Sequence, residues 1–129
     1  MKSAEELNEL ARTAVDCAVA VHTALGPGLL ESAYQACLAH ELQCRGLFVE
    51  TQVGLPVVYD TVKLEIGYRI DILVESSLIL EIKGVEAIAR VHRAQLLSYL
   101  RLSGCRLGLL LNFHVPLMRE GIVRMVNGL

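Results

Sequence analysis

The sequence predicts an α/β protein in which helices flank a mixed β-sheet, and three observations favour this class. Apolar residues recur at helical spacing over residues 4–25 and again over residues 86–102. Between these two segments, stretches rich in Val, Ile and Leu alternate in the manner of strands. Residues 106–113 are almost continuously apolar, which is typical of a central strand covered on both faces.

Two helices are predicted at the start of the chain. The first covers residues 4–25, and the Gly-Pro-Gly tripeptide at residues 26–28 ends it, because glycine and proline interrupt helices. The second is expected to begin near Leu29 and to end near Arg45, just before Gly46. The apolar spacing then changes from that of a helix to that of a strand.

Three strands are predicted next, and two turns separate them. The first strand covers the Val-rich residues 48–59, and residues 60–63 form the turn that follows it. The second strand covers residues 64–74. A turn at residues 75–77 then leads into the third strand, which covers residues 78–83.

The third helix and the fourth strand complete the predicted core. The helix covers residues 86–102 and the strand residues 106–113, so the order is α-α-β-β-β-α-β. The tail that follows leaves either a short strand or a short helix open for residues 122–126. The chain has 129 residues, the length of one domain, and residues 1–129 are expected to form a single one.

Strand alternation brings ionisable side chains to one face of the second and third strands. It puts Asp71 on the face opposite Ile70 and Ile72, and it puts Glu81 and Lys83 on one face together. If the two strands form a hairpin, Asp71 lies beside Glu81. Charged groups among Ile, Leu and Val are costly unless they are compensated.

Two interpretations of this cluster follow from the residues alone. In the first, a divalent cation relieves the repulsion between Asp71 and Glu81, since Mg²⁺ binds through one or two carboxylates together with water and phosphate. Lys83 would then orient or help to deprotonate an attacking water. In the second, Lys83 simply neutralises the two carboxylates in an ion-pair network. The spacing does not separate these alternatives.

The string from Asp71 to Glu81-Ile82-Lys83, on two adjacent strands between helices, resembles the motif of the PD-(D/E)XK nuclease superfamily. Residues 28–34, Gly-Leu-Leu-Glu-Ser-Ala-Tyr, resemble the signature of the GxxExxY family, a branch of that superfamily. Four further blocks are similar to the same family: residues 22–28, 67–71, 94–100 and 110–113. The resemblance extends over nearly the whole chain and implies a restriction-endonuclease-like mixed sheet flanked by helices.

The resemblance also implies roles for individual residues. Asp71 and Glu81 would be metal ligands, with the Ile82 carbonyl as a third. Lys83 would be the catalytic lysine. Glu31 matches the helical acidic residue of the superfamily, which would hold a metal-bound water.

Two further implications concern the helix after the lysine and the reaction. Gln95 matches the catalytic polar position on that helix. The reaction would be Mg²⁺- or Mn²⁺-dependent hydrolysis of phosphodiester bonds in nucleic acid, with DNA as the expected partner. One residue departs from the pattern, because Ile70 stands where the superfamily has the proline of its name.

Arginines are the candidate contacts with nucleic acid. Arg90, Arg93 and Arg101 fall within roughly a quarter-turn of one another on an ideal helix, where they would meet phosphate or form an ordinary solvated face. Residues 1–83 carry twelve acidic and six basic side chains, whereas residues 84–129 carry two acidic and six basic ones. Aromatic residues are only 5% of the chain, so composition indicates no stacking platform for single strands.

Four ring-bearing side chains near the motifs have simpler interpretations. His22 lies on the apolar stripe of the first helix and is expected to be a core or helix-end histidine. His92 shares a stripe with Gln95, so an approach to the site stays open. Tyr34 and Tyr99 are expected to be core rings that direct a hydroxyl towards a polar centre.

Composition also bears on other functions and on location. A catalytically silent module that binds nucleic acid or a protein partner is the alternative to a nuclease, and the acidic pI near 6.1 favours it. The mean hydropathy of +0.47 leaves a homodimer open. The apolar runs are too short to span a bilayer and the first residues lack a signal-peptide pattern, so a cytoplasmic protein without membrane contacts is expected.

Overall fold

Three helices and seven strands make up the computed structural model, which describes all residues from 1 to 129. The helices are α1 (Ala4–Leu25), α2 (Glu31–Cys44) and α3 (Arg90–Ser103). The strands are β1 (Val49–Gly54), β2 (Val57–Tyr59), β3 (Val62–Leu64), β4 (Arg69–Val74), β5 (Leu78–Lys83), β6 (Leu107–Asn112) and β7 (Ile122–Val126). A short 3₁₀ turn, Met118–Gly121, precedes β7.

Five strands form a mixed sheet in the order β1-β4-β5-β6-β7. Only β5 and β6 are parallel, and α3 forms the crossover between them. The other neighbouring pairs are antiparallel. The predicted α/β class and the order α-α-β-β-β-α-β are therefore confirmed for the sheet and its helices, and the undecided tail is the edge strand β7.

Helices cover the two faces of this sheet to different extents. The larger apolar cluster, with 21 buried residues, joins α1 and α2 to one face. Ala14 and Ala18 are completely buried in it, and their small side chains let α1 lie close to its neighbours. A smaller cluster of seven buried residues lies under α3, which packs on β6 and β7. Leu73 of β4 packs against this smaller cluster and is only half-buried, whereas Ile79 of β5 is completely buried.

Local sequence signals explain where the helices begin and end. α1 has the predicted bounds, since Ser3 and Glu6 form a reciprocal capping box at its start. α3 begins at Arg90, later than predicted, because residues 84–89 form a loop before it. It ends at Gly104, whose φ of 77° is left-handed, as glycine readily allows. None of the helices combines the length and apolar character that crossing a membrane would require.

The prediction of two long strands over residues 48–59 and 64–74 is wrong. Pro56 interrupts the first, since proline cannot donate to a β-ladder, and Gly67 interrupts the second with a φ of 88°. The chain between Pro56 and Gly67 forms a separate hairpin, in which β2 pairs with β3. This hairpin leaves several large apolar side chains exposed, among them Val58, Tyr59 and Ile66.

Candidate active site

The two predicted carboxylates lie where β4 and β5 stop pairing. The paired residues end at Ile72 and Leu80, one position short of Asp71 and Glu81. Glu81 Oε2 accepts a hydrogen bond from the Asp71 backbone N–H at 2.8 Å. In turn, Asp71 Oδ2 accepts one from the Ile82 N–H at 2.8 Å. Each carboxylate therefore binds the backbone of the other strand, in place of the next ladder bonds.

The strict strand alternation also stops at this point. Ile72 belongs to the large cluster under α1 and α2, whereas Ile70 belongs to the cluster under α3. The expectation that both share one face is wrong, because β4 no longer pairs with β5 beyond Ile72. This divergence opens the space that Asp71 and Glu81 occupy.

Burial sets the electrostatics of the carboxylate pair. Glu81 is only 3% exposed, and loss of water, together with the charge of Asp71, raises its pKa to about 8. Burial also raises the pKa of Asp71, although hydrogen bonds from Ile82 and Gln52 oppose the shift. Near neutral pH the pair therefore holds a proton, which a divalent cation would replace. This donor set fits such an ion.

Lys83 is held by an amide and not by the carboxylates. Its Nζ donates to Gln95 Oε1 at 3.2 Å, and Gln95 Nε2 donates to the Tyr99 hydroxyl at 3.4 Å. The three ion pairs of the structure involve other residues. The alternative in which Lys83 forms ion pairs with Asp71 and Glu81 does not match this arrangement. The hydrogen bond to Gln95 therefore sets the position of the Lys83 ammonium group.

Glu31 reaches the same end of the sheet from α2. Its Oε2 accepts a hydrogen bond at 3.0 Å from the N–H of Gly84, the residue after Lys83. Its charge contributes to the raised pKa of Asp71 and of Glu81. No three His, Cys, Asp or Glu side chains form a group arranged to hold a metal. Further oxygen ligands would therefore come from the backbone or from water.

The Ile82 carbonyl is one such backbone oxygen. In a strand the N–H and C=O of one residue point to the same side, and the Ile82 N–H points to Asp71. The Ile82 carbonyl therefore also faces β4, in the gap where pairing has ended.

Gln52 is a site residue that sequence reasoning missed. It lies between Thr51 and Val53, which pair with Ile72 and Ile70 of β4. Its φ of 52° is in the left-handed region that glutamine rarely adopts. Its Nε2 donates to Asp71 Oδ1 at 3.2 Å and to Gln35 Oε1 at 2.7 Å. Gln35 lies one turn after Glu31 on α2, a spacing that places both on one helix face. Nothing in the sequence marked Gln52.

Asn112 is a second site residue to which the sequence assigned no role, although it lies within the motif block at residues 110–113. It is 2% exposed and lies beside Lys83 in the parallel register. Its Oδ1 accepts from the backbone N–H groups of Val85 and His114, and its Nδ2 donates to the Val85 carbonyl at 2.8 Å. One buried amide thus fixes the loop that follows Lys83.

The other predicted positions lie outside this cluster. Arg90, Arg93 and Arg101 are exposed on α3 and are not hydrogen-bonded to the carboxylate pair. His92 Nδ1 accepts the Ala89 N–H at the start of α3, an N-terminal capping contact. His22 is buried, and its Nε2 contacts the Val115 carbonyl at 2.8 Å, as expected of a core histidine.

Tyr34 ties down the segment that precedes Glu31. Its hydroxyl donates to the Gly26 carbonyl and accepts from the Leu29 N–H at 3.1 Å. Its ring stacks on Phe113 with centroids 4.4 Å apart. The Tyr34 hydroxyl therefore anchors the loop into α2, and through it the position of Glu31.

The fold and site define an α/β protein with an acidic pair and a lysine at the diverging end of two central strands. The family model described as the PD-(D/E)XK nuclease superfamily matches residues 8–125, and the chain belongs to that superfamily. Nucleases of this superfamily usually use divalent metal ions. Searches of curated proteins and of solved structures gave no match.

Proposed function

We propose that this protein is a Mg²⁺- or Mn²⁺-dependent nuclease that hydrolyses phosphodiester bonds in DNA. The observation that carries the proposal is the buried Asp71–Glu81 pair, in which each carboxylate accepts a backbone hydrogen bond from the other strand and neither forms an ion pair. Asp71, Glu81 and the Ile82 carbonyl would hold the ion. When bound, the ion would stabilise the developing phosphate charge and acidify a water.

The side chains of this chain would orient the reacting groups. Lys83, aimed by Gln95, would orient the attacking water, favour its ionisation through its positive charge and offset the charge of the scissile phosphate. Glu31 would hold a second water beside the N–H of Gly84. Gln52 would keep Asp71 in the orientation that its hydrogen bonds now fix.

The chain is further proposed to belong to the GxxExxY branch of the superfamily. The motif residues have physical roles that support this assignment. Gly28 adopts a φ of 101°, and Tyr34 anchors the loop that leads to Glu31. The glycine, the acid and the tyrosine would therefore act together to set the entry of α2 next to Lys83.

Contacts with DNA are proposed for the exposed arginines of α3. Arg90, Arg93 and Arg101 form none of the ion pairs of the structure and are free to meet backbone phosphates. Phosphate contacts of this kind would give affinity without sequence preference and would weaken with salt.

Residues 1–129 are proposed to act as one domain.

Cleavage of DNA by matched variants tests the nuclease proposal. Asp71→Asn and Lys83→Ala are each expected to lower the rate at least ~100-fold in Mg²⁺ or Mn²⁺, since each removes a ligand or a proton-transfer group. Asp16→Asn, a change of the same kind on α1, should leave the rate unchanged. Metal-dependent cutting that survives both site variants would refute the proposal.

A catalytically silent module is the second candidate function, and one observation favours it. Every buried side-chain nitrogen and oxygen already has a hydrogen-bond partner, so the acidic pair is satisfied while it is protonated. Calorimetry with Mn²⁺ separates the two functions. Heat from a single site that Asp71→Asn removes supports the nuclease, whereas DNA binding without any metal site supports the silent module.

A further inference from the structure

A groove lies between α3 and the chain that flanks the β2–β3 hairpin. Eight residues line it and none of them is charged. We call it the α3 groove, and its principal lining residues are Val57, Tyr68, Val91, Gln95, Tyr99 and Leu102.

Apolar side chains in the α3 groove are left in water. Val91 is 69% exposed, Tyr68 44% and Leu102 39%. The buried residues of α3 are Leu96, Tyr99 and Leu100, so Val91 and Leu102 are left outside its packed face. A cluster of exposed apolar groups on a surface helix is typical of a binding site.

The α3 groove is continuous with the candidate active site. Gln95 lines the groove and also accepts the hydrogen bond from Lys83. The Tyr99 hydroxyl accepts the hydrogen bond from the Gln95 amide. The ring of Tyr99 packs edge-on against that of Tyr68, with centroids 6.3 Å apart. Tyr68 is also only three residues before Asp71 in the chain. A group seated in the groove would therefore lie beside a phosphate bound at Asp71 and Glu81.

The chemistry of the groove selects its occupant. The lining has aromatic and aliphatic groups but no cation, so it suits a flat neutral group and not a phosphate. On a helix that turns about 100° per residue, Arg90 and Arg101 project next to Ala94, at one border of the groove. A neutral floor with a basic border matches a base and its flanking phosphates.

We propose that the α3 groove binds an unpaired nucleobase of the strand that is cut, with Tyr68 as the stacking residue. The inference rests on the proposed nuclease function and names its substrate class. A base within an intact duplex is stacked and paired, and extracting it is costly. The preferred substrate is therefore DNA with a single-stranded, gapped or extruded nucleotide.

Binding of two matched oligonucleotides tests the proposal. One duplex carries a single unpaired 2-aminopurine nucleotide and the other is fully paired, and both are titrated in EDTA so that neither is cut. Wild type should bind the unpaired probe with about tenfold higher affinity. The fluorescence of the 2-aminopurine should change as that base stacks on Tyr68. Tyr68→Ala and Val91→Glu should abolish the preference, while Tyr68→Phe should keep it.

An exposed valine elsewhere provides the matched control. Val126→Glu, on the edge strand β7, should bind both probes as wild type does, since Val126 is 46% exposed and does not line the groove. A preference unchanged in Val91→Glu would overturn the proposal. So would a wild-type dimer that Val91→Glu splits in sedimentation without altering DNA binding, because the groove would then be a subunit interface.

The same variants separate this inference from the nuclease proposal. Cleavage that requires Lys83, combined with an unchanged preference in Val91→Glu, would overturn the base site alone. A preference that Val91→Glu abolishes, in a protein that never cuts DNA, would overturn the nuclease activity and support base binding.

Discussion

The two faces of the central sheet differ in what they bury. The face under α1 and α2 holds a cluster of 21 buried residues, and the face under α3 holds seven. On the second face the strands diverge at Asp71 and Glu81, and α3 lies over β6 and β7 instead of covering them. The packing of the first face thus offsets the cost of burying the acidic pair on the second.

The largest expected effect is on the stability of the well-packed face. Phe113 is completely buried against Tyr34, and Phe113→Ala should lower the free energy of unfolding by about 3–5 kcal/mol because it leaves a cavity. Urea denaturation measures the loss. Phe48→Ala is the matched control, since Phe48 is mostly exposed, and it should cost about 0.5 kcal/mol or less. Equal losses of unfolding free energy in both variants would contradict this prediction.

A smaller effect of the opposite sign is expected at the acidic pair. The pKa of Glu81 rises from 4.5 in the unfolded chain to about 8, so its contribution to stability is full below pH 4.5 and is lost as the pH rises through 8. Glu81→Gln cannot ionise. Without metal it should therefore be more stable than wild type at pH 8.5, by an amount of order a few kcal/mol, with a small difference at pH 4.5.

Urea midpoints at the two pH values, with and without Mg²⁺, measure this effect. Mg²⁺ should stabilise wild type at pH 8.5 but not Glu81→Gln, because ligand binding to the folded state adds stability. The exposed Glu86→Gln is the control and should change neither quantity. If Glu81→Gln is less stable than wild type at pH 8.5, the Glu81 carboxyl ionises readily in the metal-free fold and its pKa is not raised.

The smallest effect is expected at Gln52, the residue that links the acidic pair to α2. Gln52→Ala removes the hydrogen bonds to Asp71 and Gln35 but keeps the strained φ. Mn²⁺ affinity should fall about 10-fold, as is typical when a group that orients a metal ligand is lost, while stability changes little. Calorimetry measures the affinity. Gln43→Ala, on the same helix as Gln35, is the control, and an equal Mn²⁺ affinity in both variants would show that Gln52 does not position Asp71.

Short-range signals predicted most of the fold. Helical spacing of apolar residues and the Gly-Pro-Gly break predicted α1, and strand alternation placed Glu81 and Lys83 on β5. Pro56 and Gly67 are also local signals, but the apolar alternation continues past both of them and favoured two long strands. The prediction therefore missed the β2–β3 hairpin.

The residues that sequence could not supply are those that depend on register between distant strands. Gln52 meets Asp71 only because β1 pairs with β4, and Asn112 meets Val85 only because β6 lies beside β5. The apposition of Tyr68 and Tyr99 likewise joins residues from separate elements, so composition gave no sign of the α3 groove. Such contacts follow from tertiary structure and leave no periodic trace along the chain.

The edge position of β1 has a consequence for inactivation by heat. β1 has a partner strand on one side only, and it carries the strained Gln52. Terminal strands detach more easily than central ones, so warming should free β1 while the interior of the sheet is still intact. Asp71 would then lose its amide partner early, and we expect function to fail at a temperature below that of global melting.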